Sequence, residues 1–236
     1  MENNINITTK SKLIAYQIES DLLLSRLGKA RLQITDCDIL ALKFDEDIEK
    51  SKEILKNILP KINKPLMICG CGKDEIDRVL LPELIKILDK VCIISYVTEK
   101  TYKDIISIVI EGGHYAVLKT PIDINLAKEL NILCIDMGLD KSKIIMNTDT
   151  GGLGYGYEYG YSIMEKIRLE SEDEYLNLPL ISEAGLESLK TKEAKYGGEK
   201  RARMIELTAI SGALAAGANI VVVKNPDSIN IIRRIL

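Results

Sequence analysis

The residues of this 236-residue chain that could do chemistry sit in short runs rich in glycine, amides and hydroxyls. These runs are Cys69-Gly-Cys-Gly-Lys-Asp74, Ser95-Tyr96, Lys119-Thr-Pro-Ile-Asp-Ile-Asn125, Asn147 to Tyr159, Ser182-Glu-Ala-Gly185 and Lys224-Asn-Pro226. Their chemistry is hydrogen bonding, with no evident nucleophile–base pair. In the longest run, Gly151, Gly152, Gly154 and Gly156 let a ligand lie against bare main chain, and Tyr155, Tyr157, Tyr159 and Tyr161 add flat surface with hydroxyl tips. A solvated loop would have the same composition. The spacing matches neither the Walker nor the dinucleotide pattern. Cys69-x-Cys71 lacks the further ligands that zinc or an iron–sulfur cluster needs, so no metal is expected. His114 precedes a strand, at the end of the fold away from the expected site, and reads as structural. Asp123 and Asn125 open a helix, where capping and ligand contact are compatible. Glu158 suits the first turn of a helix, while Lys166 and Arg168 look like partners for Glu165, Glu170 or another chain.

The elements that must position these groups alternate. Strand-length apolar runs occur at Asp38–Leu42, Pro65–Cys69, Val91–Ser95, Tyr115–Leu118, Lys143–Asn147, Pro179–Ser182 and Asn219–Val223. Most are apolar on both faces, as strands of a covered parallel sheet must be. Helical patterns intervene at Asp47–Leu59, from Pro82, and at Thr101–Ile110, Ile124–Leu133, Tyr161–Leu169, Lys200–Ala216 and Asp227–Ile235, the last capped by Asp227 or Ser228. Seven strands leave one missing from an α/β TIM-type (β/α)8 barrel. Asn4–Thr8, followed by a helix over Ser11–Leu27, is the candidate for an atypical first strand. An open doubly wound sheet is the rival, but it would show a phosphate-binding turn after its first strand. No linker or repeat divides the chain, so residues 1–236 read as one domain. Ligands of parallel barrels bind beyond the carboxyl ends of the strands, so Asn147–Tyr159 should share a face with Thr120 and Ser182 and line the main pocket.

Composition narrows the classes. The net charge is −3 with signs interspersed, so no nucleic-acid footprint is present. The chain has one His, one Phe and no Trp. Five irregularly spaced cysteines suit reduced thiols in a cytosolic protein. The amino terminus lacks a signal-peptide core, and the longest apolar stretch is broken by Gly217 and Asn219, which implies a soluble, cytoplasmic protein without a membrane span.

The run TDTGGLGYGYEYGYSIMEKIRL (148–169) closely resembles the signature of the small (delta) subunit of the corrinoid iron–sulfur protein of the acetyl-CoA synthase/decarbonylase complex. The resemblance extends to TPIDINLAKELNILCIDMGLDKSKIIMN, KPLMICGCGKDEIDRVLLPEL, KTKEA and GALAAGANIVVVKNPDSI, about residues 38–236. Residues before Thr35 have no clear counterpart, which implies a shortened chain or a paralog. Where the family has proline and aspartate this chain has Thr148 and Asn147, and Glu183–Leu189 lacks the family's aromatics. The resemblance implies a TIM barrel similar to pterin-binding methyltransferases. It also implies pairing with a large subunit that carries a cobamide and an iron–sulfur cluster, with acetyl-CoA synthase and a methyltransferase as transient partners. The methyl group would pass from a methylated tetrahydropterin or folate to cobalt and on to the synthase. The cobamide would be capped by the strand-end face, giving contact candidates Thr120, Asp123, Asn125, Asn147, Asp149, Thr150, Gly151, Gly152, Gly154, Tyr155, Ser182 and Asn225, with no catalytic or metal-ligating residue. An autonomous pterin- or corrinoid-dependent methyltransferase and a non-catalytic assembly module remain open alternatives.

Overall fold

The computed structural model describes residues 6–27, 36–149 and 151–236. Among them, eight parallel strands form one sheet: β1 Leu13–Glu19, β2 Ile39–Lys43, β3 Leu66–Cys69, β4 Ile93–Val97, β5 Tyr115–Lys119, β6 Ile144–Asn147, β7 Ile181–Ser182 and β8 Ile220–Val223. The order β6-β5-β4-β3-β2-β1-β8-β7 curls until its two ends meet. There a bridge between Met146 and Leu180 and a 2.8 Å bond from Met146 N to Pro179 O nearly close the barrel. The helices are α1 Ser20–Leu27, α2 Ile48–Ile58, α3 Asp74–Ile85, α4 Tyr102–Glu111, α5 Ile124–Asp136, α6 Tyr157–Leu169, α7 Ala184–Ser188, α8 Lys192–Tyr196, α9 Glu199–Ala215 and α10 Pro226–Arg233.

Strand alternation divides the apolar residues into two cores. Ala15, Ile39, Ala41, Met67, Ile93, Val117, Ile145, Ile220 and Val222 fill the barrel, joined by Ile7 from the segment ahead of β1. The alternate positions, such as Ile14, Leu40, Leu42, Ile68 and Leu118, pack outward on Leu55, Leu80, Leu84, Ile105, Leu130 and Ile167 of the helices. Each fully buried Leu or Ile side chain contributes about 1.5–3 kcal/mol. This is why strands apolar on both faces are stable here.

Four sequence expectations shift. The first strand is Leu13–Glu19, and residues 6–8 are not strand; residues 4 and 5 lie outside the described residues. Strand and helix abut at Glu19/Ser20 with no turn residue between them, so LIAYQIE and SDLLLSRL read as one helical pattern. Pro82 lies inside α3 rather than opening it, because Asp74, Glu75 and Asp77 already stabilise an earlier first turn. The cap of α10 is Asn225, which accepts from Asp227 N at 3.0 Å. Arg168 does not pair with Glu165 or Glu170. It is turned into the barrel's amino end, donating to Gly217 O at 3.0 Å and Leu178 O at 3.1 Å. No helix among the described residues is long and apolar enough to cross a membrane.

Candidate functional site

At the carboxyl ends of the strands the inward positions change from apolar to polar. Following Ala15, Ala41, Val117, Ile145, Ile181 and Val222 by steps of two come Gln17 and Glu19, Lys43, Lys119, Asn147, Glu183 and Lys224. Apolar layers fill the tube and a charged layer closes it.

Glu183 is the hub of this layer, its side chain 4% exposed. It accepts from Tyr96 Oη at 2.7 Å, Lys119 Nζ at 3.1 Å and Asn147 Nδ2 at 3.0 Å. Burial pushes its carboxyl up, but Lys119 and the donors together outweigh burial and hold it below the usual glutamate value. Burial likewise opposes the charge on Lys119, and Glu183 reverses the effect so that its pKa is raised. Lys119 Nζ also lies 4.8 Å from the centre of the Tyr96 ring. Tyr96 Oη accepts from Gln17 Nε2 at 3.4 Å, and Tyr96 has a φ of 74°. Beside this hub Asp149 is buried. Its carboxylate accepts from Ser182 Oγ at 2.9 Å and from Glu183 N, while burial pushes its pKa up to about 6.

Two other backbone cradles at this end are filled by the chain itself. Cys71 N and Gly72 N donate to Asp77 at 2.8 and 2.9 Å, and a Cβ on Gly70 would overlap that carboxylate. Lys224 N, Asn225 N and Ser228 Oγ donate to Glu206 at 2.6, 3.2 and 2.6 Å. The amino ends of α3 and α10, places where a barrel can seat phosphate, hold internal carboxylates instead.

Three chambers at the mouth share Lys43. One of about 410 Å³ also touches Cys71, Tyr96, Lys119 and Pro121. A second of about 410 Å³ lies over Glu19, Phe44 and Glu46. A third of about 240 Å³ reaches Gln17, Tyr96, Glu183 and Leu186.

The sequence candidates separate into a buried set and a rim set. Asn147, Asp149 and Ser182 join the buried network, with Asp149 N donating to Asn147 Oδ1 at 3.0 Å. Thr120 is buried and its Oγ1 has no partner among the described residues, as is true of Thr148 Oγ1. Gly151 and Gly152 do permit close backbone approach, but what approaches is the chain: a Cβ would overlap Tyr155 O at the first and Ser188 N at the second. Gly154 makes an exposed turn at φ 85°. Tyr155 is half-exposed and donates its hydroxyl to Glu187 O. Asp123 caps α5, accepting from Asn125 N and Leu126 N at 2.9 and 3.1 Å, and Asn125 is exposed beside it. Asn225, the cap of α10, is half-buried. Thr150 lies outside the described residues. The turn at Leu153–Tyr155 does not line the mouth chambers; it borders a separate groove of about 650 Å³ with Thr191, Arg201 and Ile205. Sequence reasoning missed Lys43, and it placed Tyr96, Lys119 and Glu183 in polar strand-end runs without naming them as contact residues. The available signal was a lysine ending an apolar strand, as in ILALK43 and YAVLK119.

Comparison with known proteins decides the family. The family described as "CO dehydrogenase/acetyl-CoA synthase delta subunit" matches residues 12–232. The chain belongs to this family. The match begins ahead of the point where the residues' own resemblance was visible and takes in β1. The acetyl-CoA decarbonylase/synthase complex subunit delta of Methanopyrus kandleri is 30% identical over 142 residues, 58% of this chain and 36% of that protein. The Methanocaldococcus jannaschii subunit delta is 25% identical over 201 residues, 81% of this chain and 49% of that one. The chain thus spans about half, or less, of the curated relatives it matches. Among solved structures, Xanthomonas albilineans dihydropteroate synthase with 4-aminobenzoic acid superposes with a TM-score of 0.69 at 12% identity, covering 97% of this chain and 95% of that one. The Thermus thermophilus enzyme gives 0.67 at 14%, covering 96% and 94%. These share the TIM-barrel fold of this delta-family chain.

Among the described residues no group of three or more His, Cys, Asp or Glu is placed to hold a metal ion. All five cysteines are free. Cys69 lies inside the barrel, and burial raises Cys71 to about 11. His114 starts the approach to β5 at the opposite end of the barrel, accepts from Cys92 N at 3.1 Å and is lowered to about 4 by burial.

Proposed function

We propose that this chain is the barrel subunit of a methyl-carrying corrinoid assembly in an acetyl-CoA decarbonylase/synthase. The strand-end face would cap a cobamide held by a large, iron–sulfur-bearing partner in the cytoplasm. The family match across residues 12–232 carries this reading. Methyltransferase and acetyl-CoA synthase would dock transiently on the same assembly.

The residues present fit a cap rather than a container. Chambers of about 240–410 Å³ are too small to enclose a corrin macrocycle, which must therefore lie over the rim. The rim offers what such a ring needs: polar groups for its outward amides at Asp123, Asn125 and Asn225, and apolar surface at Ile122 and Tyr155, 52% and 45% exposed. The unpartnered hydroxyls of Thr120 and Thr148 lie beneath the same loops. A bound cobamide would supply the cobalt that exchanges the methyl group. This chain's part is positional: Asp123 and Asn225 fix the rim helices, Tyr155 is tied to α7, and the face as a whole excludes water.

Calorimetry of this chain with a cobamide-loaded partner tests the reading. Ile122→Glu and Asn125→Trp change exposed side chains and leave the buried strands alone. Each should weaken association at least tenfold, about 1.4 kcal/mol, with an unchanged circular dichroism spectrum. Equal affinity in both variants would overturn the proposal. So would turnover of a methylated pterin by the isolated chain, which would favour an autonomous methyltransferase.

A further inference from the structure

We propose that the trench at the barrel mouth binds a small organic anion, a carboxylate or phosphate ester with a short apolar body, anchored by the Lys43 ammonium. The inference stands apart from the corrinoid reading and concerns the chambers beneath the rim.

The charge arrangement at the mouth points to it. Four lysines line the three chambers. Lys224 Nζ is 2.8 Å from Glu19, Lys119 Nζ is 3.1 Å from Glu183, and Lys190 Nζ is 2.7 Å from Glu187. Lys43 is the fourth, and among the described residues it has no carboxylate partner. Its neighbour in register across the sheet is Glu19, which is committed to Lys224 on the other side. Most other carboxylates of these chambers are engaged: Asp21 holds Lys50, Glu46 holds Lys73, Asp74 lies 3.5 Å from Lys100, Asp77 accepts from Cys71 N and Gly72 N, and Asp45 accepts from Glu46 N at 2.8 Å, while Glu99 lines the first chamber from its exposed side. Lys43 occupies the last inward position of β2 and is half-buried, with all three chambers opening on it. A half-buried ammonium without a counterion can take one from an anion entering the trench.

The surroundings set the rest of the ligand's chemistry. Tyr96, Leu186 and Leu189 line the smallest chamber beside Lys43, providing a wall for a short apolar body. Tyr96 is held with φ at 74° by Gln17 and Glu183, a conformation costing a non-glycine residue about 1–3 kcal/mol and maintained only by surrounding contacts. The backbone cradles at α3 and α10 are closed by Asp77 and Glu206, so an incoming anion meets the lysine rather than a helix end.

The test uses the full chain with glutarate, inorganic phosphate and phenyl phosphate as probes, at an ionic strength held constant with chloride. Saturation-transfer NMR gives binding and thermal unfolding gives the linked stabilisation. Wild type should bind at least one probe saturably below about 50 mM, and the preference between glutarate and the phosphates identifies the anionic group. Lys43→Gln should weaken binding at least tenfold, Lys43→Arg should retain it within threefold, and Lys86→Gln, at an exposed residue just past α3, should leave it unchanged. Equal binding by wild type and Lys43→Gln would overturn the proposal. So would a wild type that binds none of the probes, including the case in which Lys43→Gln loses salt-dependent association with an acidic protein partner.

Discussion

Asp149 is enclosed beside a second carboxylate, Glu183, and the two respond to pH in opposite directions. Burial raises Asp149 from its ordinary 3.8 to about 6, so its neutral form is favoured by the fold. That contribution is complete below about pH 4 and is lost as pH rises to about 6, roughly 3 kcal/mol in all. Glu183 is lowered; its contribution is present above the ordinary glutamate value and is lost as pH falls through its folded value. Asp149→Asn keeps an acceptor for Ser182 Oγ and Glu183 N but cannot titrate. Urea unfolding from about pH 4 to 7 should therefore show the variant gaining on wild type as pH rises through this window. Parallel curves would remove Asp149 from the account. Little of this was legible beforehand. The sequence shows which strand-end loops are polar, but the pairing of Lys119 with Glu183 joins residues 64 apart and depends on which strands the barrel brings together.

At the scale of elements, two glycines of one loop show why composition alone misjudged it. Gly152 has no positive φ, yet a Cβ there would overlap Ser188 N and Cα, backbone atoms of α7 that cannot swing aside. Gly154 has φ 85° and nothing within 4 Å of a built Cβ. Gly152→Ala should cost more than about 2 kcal/mol because α7 must move. Gly154→Ala should cost about 1–2 kcal/mol through backbone conformation alone, and Gly154→Asn less. Chemical denaturation of the three variants checks the order, and equal losses at both positions would refute the assignment. In the sequence both glycines read as room for a ligand. Helix α5 was legible because Asp123 is a local cap, whereas β1 was hidden because seven strand residues run straight into a helix without a breaker.

For the whole molecule, the vulnerable place is where the sheet's ends meet. The strands β6 and β7 are joined by the single bridge Met146–Leu180, and β7 has only two residues, yet it carries Ser182 and leads into Glu183. The mouth therefore depends on whatever holds β7. Arg168 does much of this from the amino end. Its guanidinium donates to Leu178 O just ahead of β7, to Gly217 O ahead of β8 and to Asn219 Oδ1. Asn219 in turn accepts from Leu180 N at 2.9 Å and donates to Thr9 O at 2.7 Å and Ser11 O at 3.1 Å. One half-buried arginine and one buried asparagine thus tie the seam to the segment that leads into β1. Arg168→Met keeps most of the apolar stem and removes every donor, leaving Leu178 O and Gly217 O without the guanidinium and Asn219 Oδ1 with only Leu180 N, at about 1–3 kcal/mol for each group left unmet before relaxation. We expect a loss of about 2–4 kcal/mol. Asn219→Ala should be costly alone but add less than its own value in the Arg168→Met background, because both act through the same network. Hydrogen exchange gives the spatial readout. In Arg168→Met the amides of Met146, Leu180 and Glu183 should lose protection well before those of Leu42 and Ile68 in β2 and β3. Uniform loss across all strands would mean that the seam is not a separate unit, and that Arg168 stabilises the barrel only as a whole.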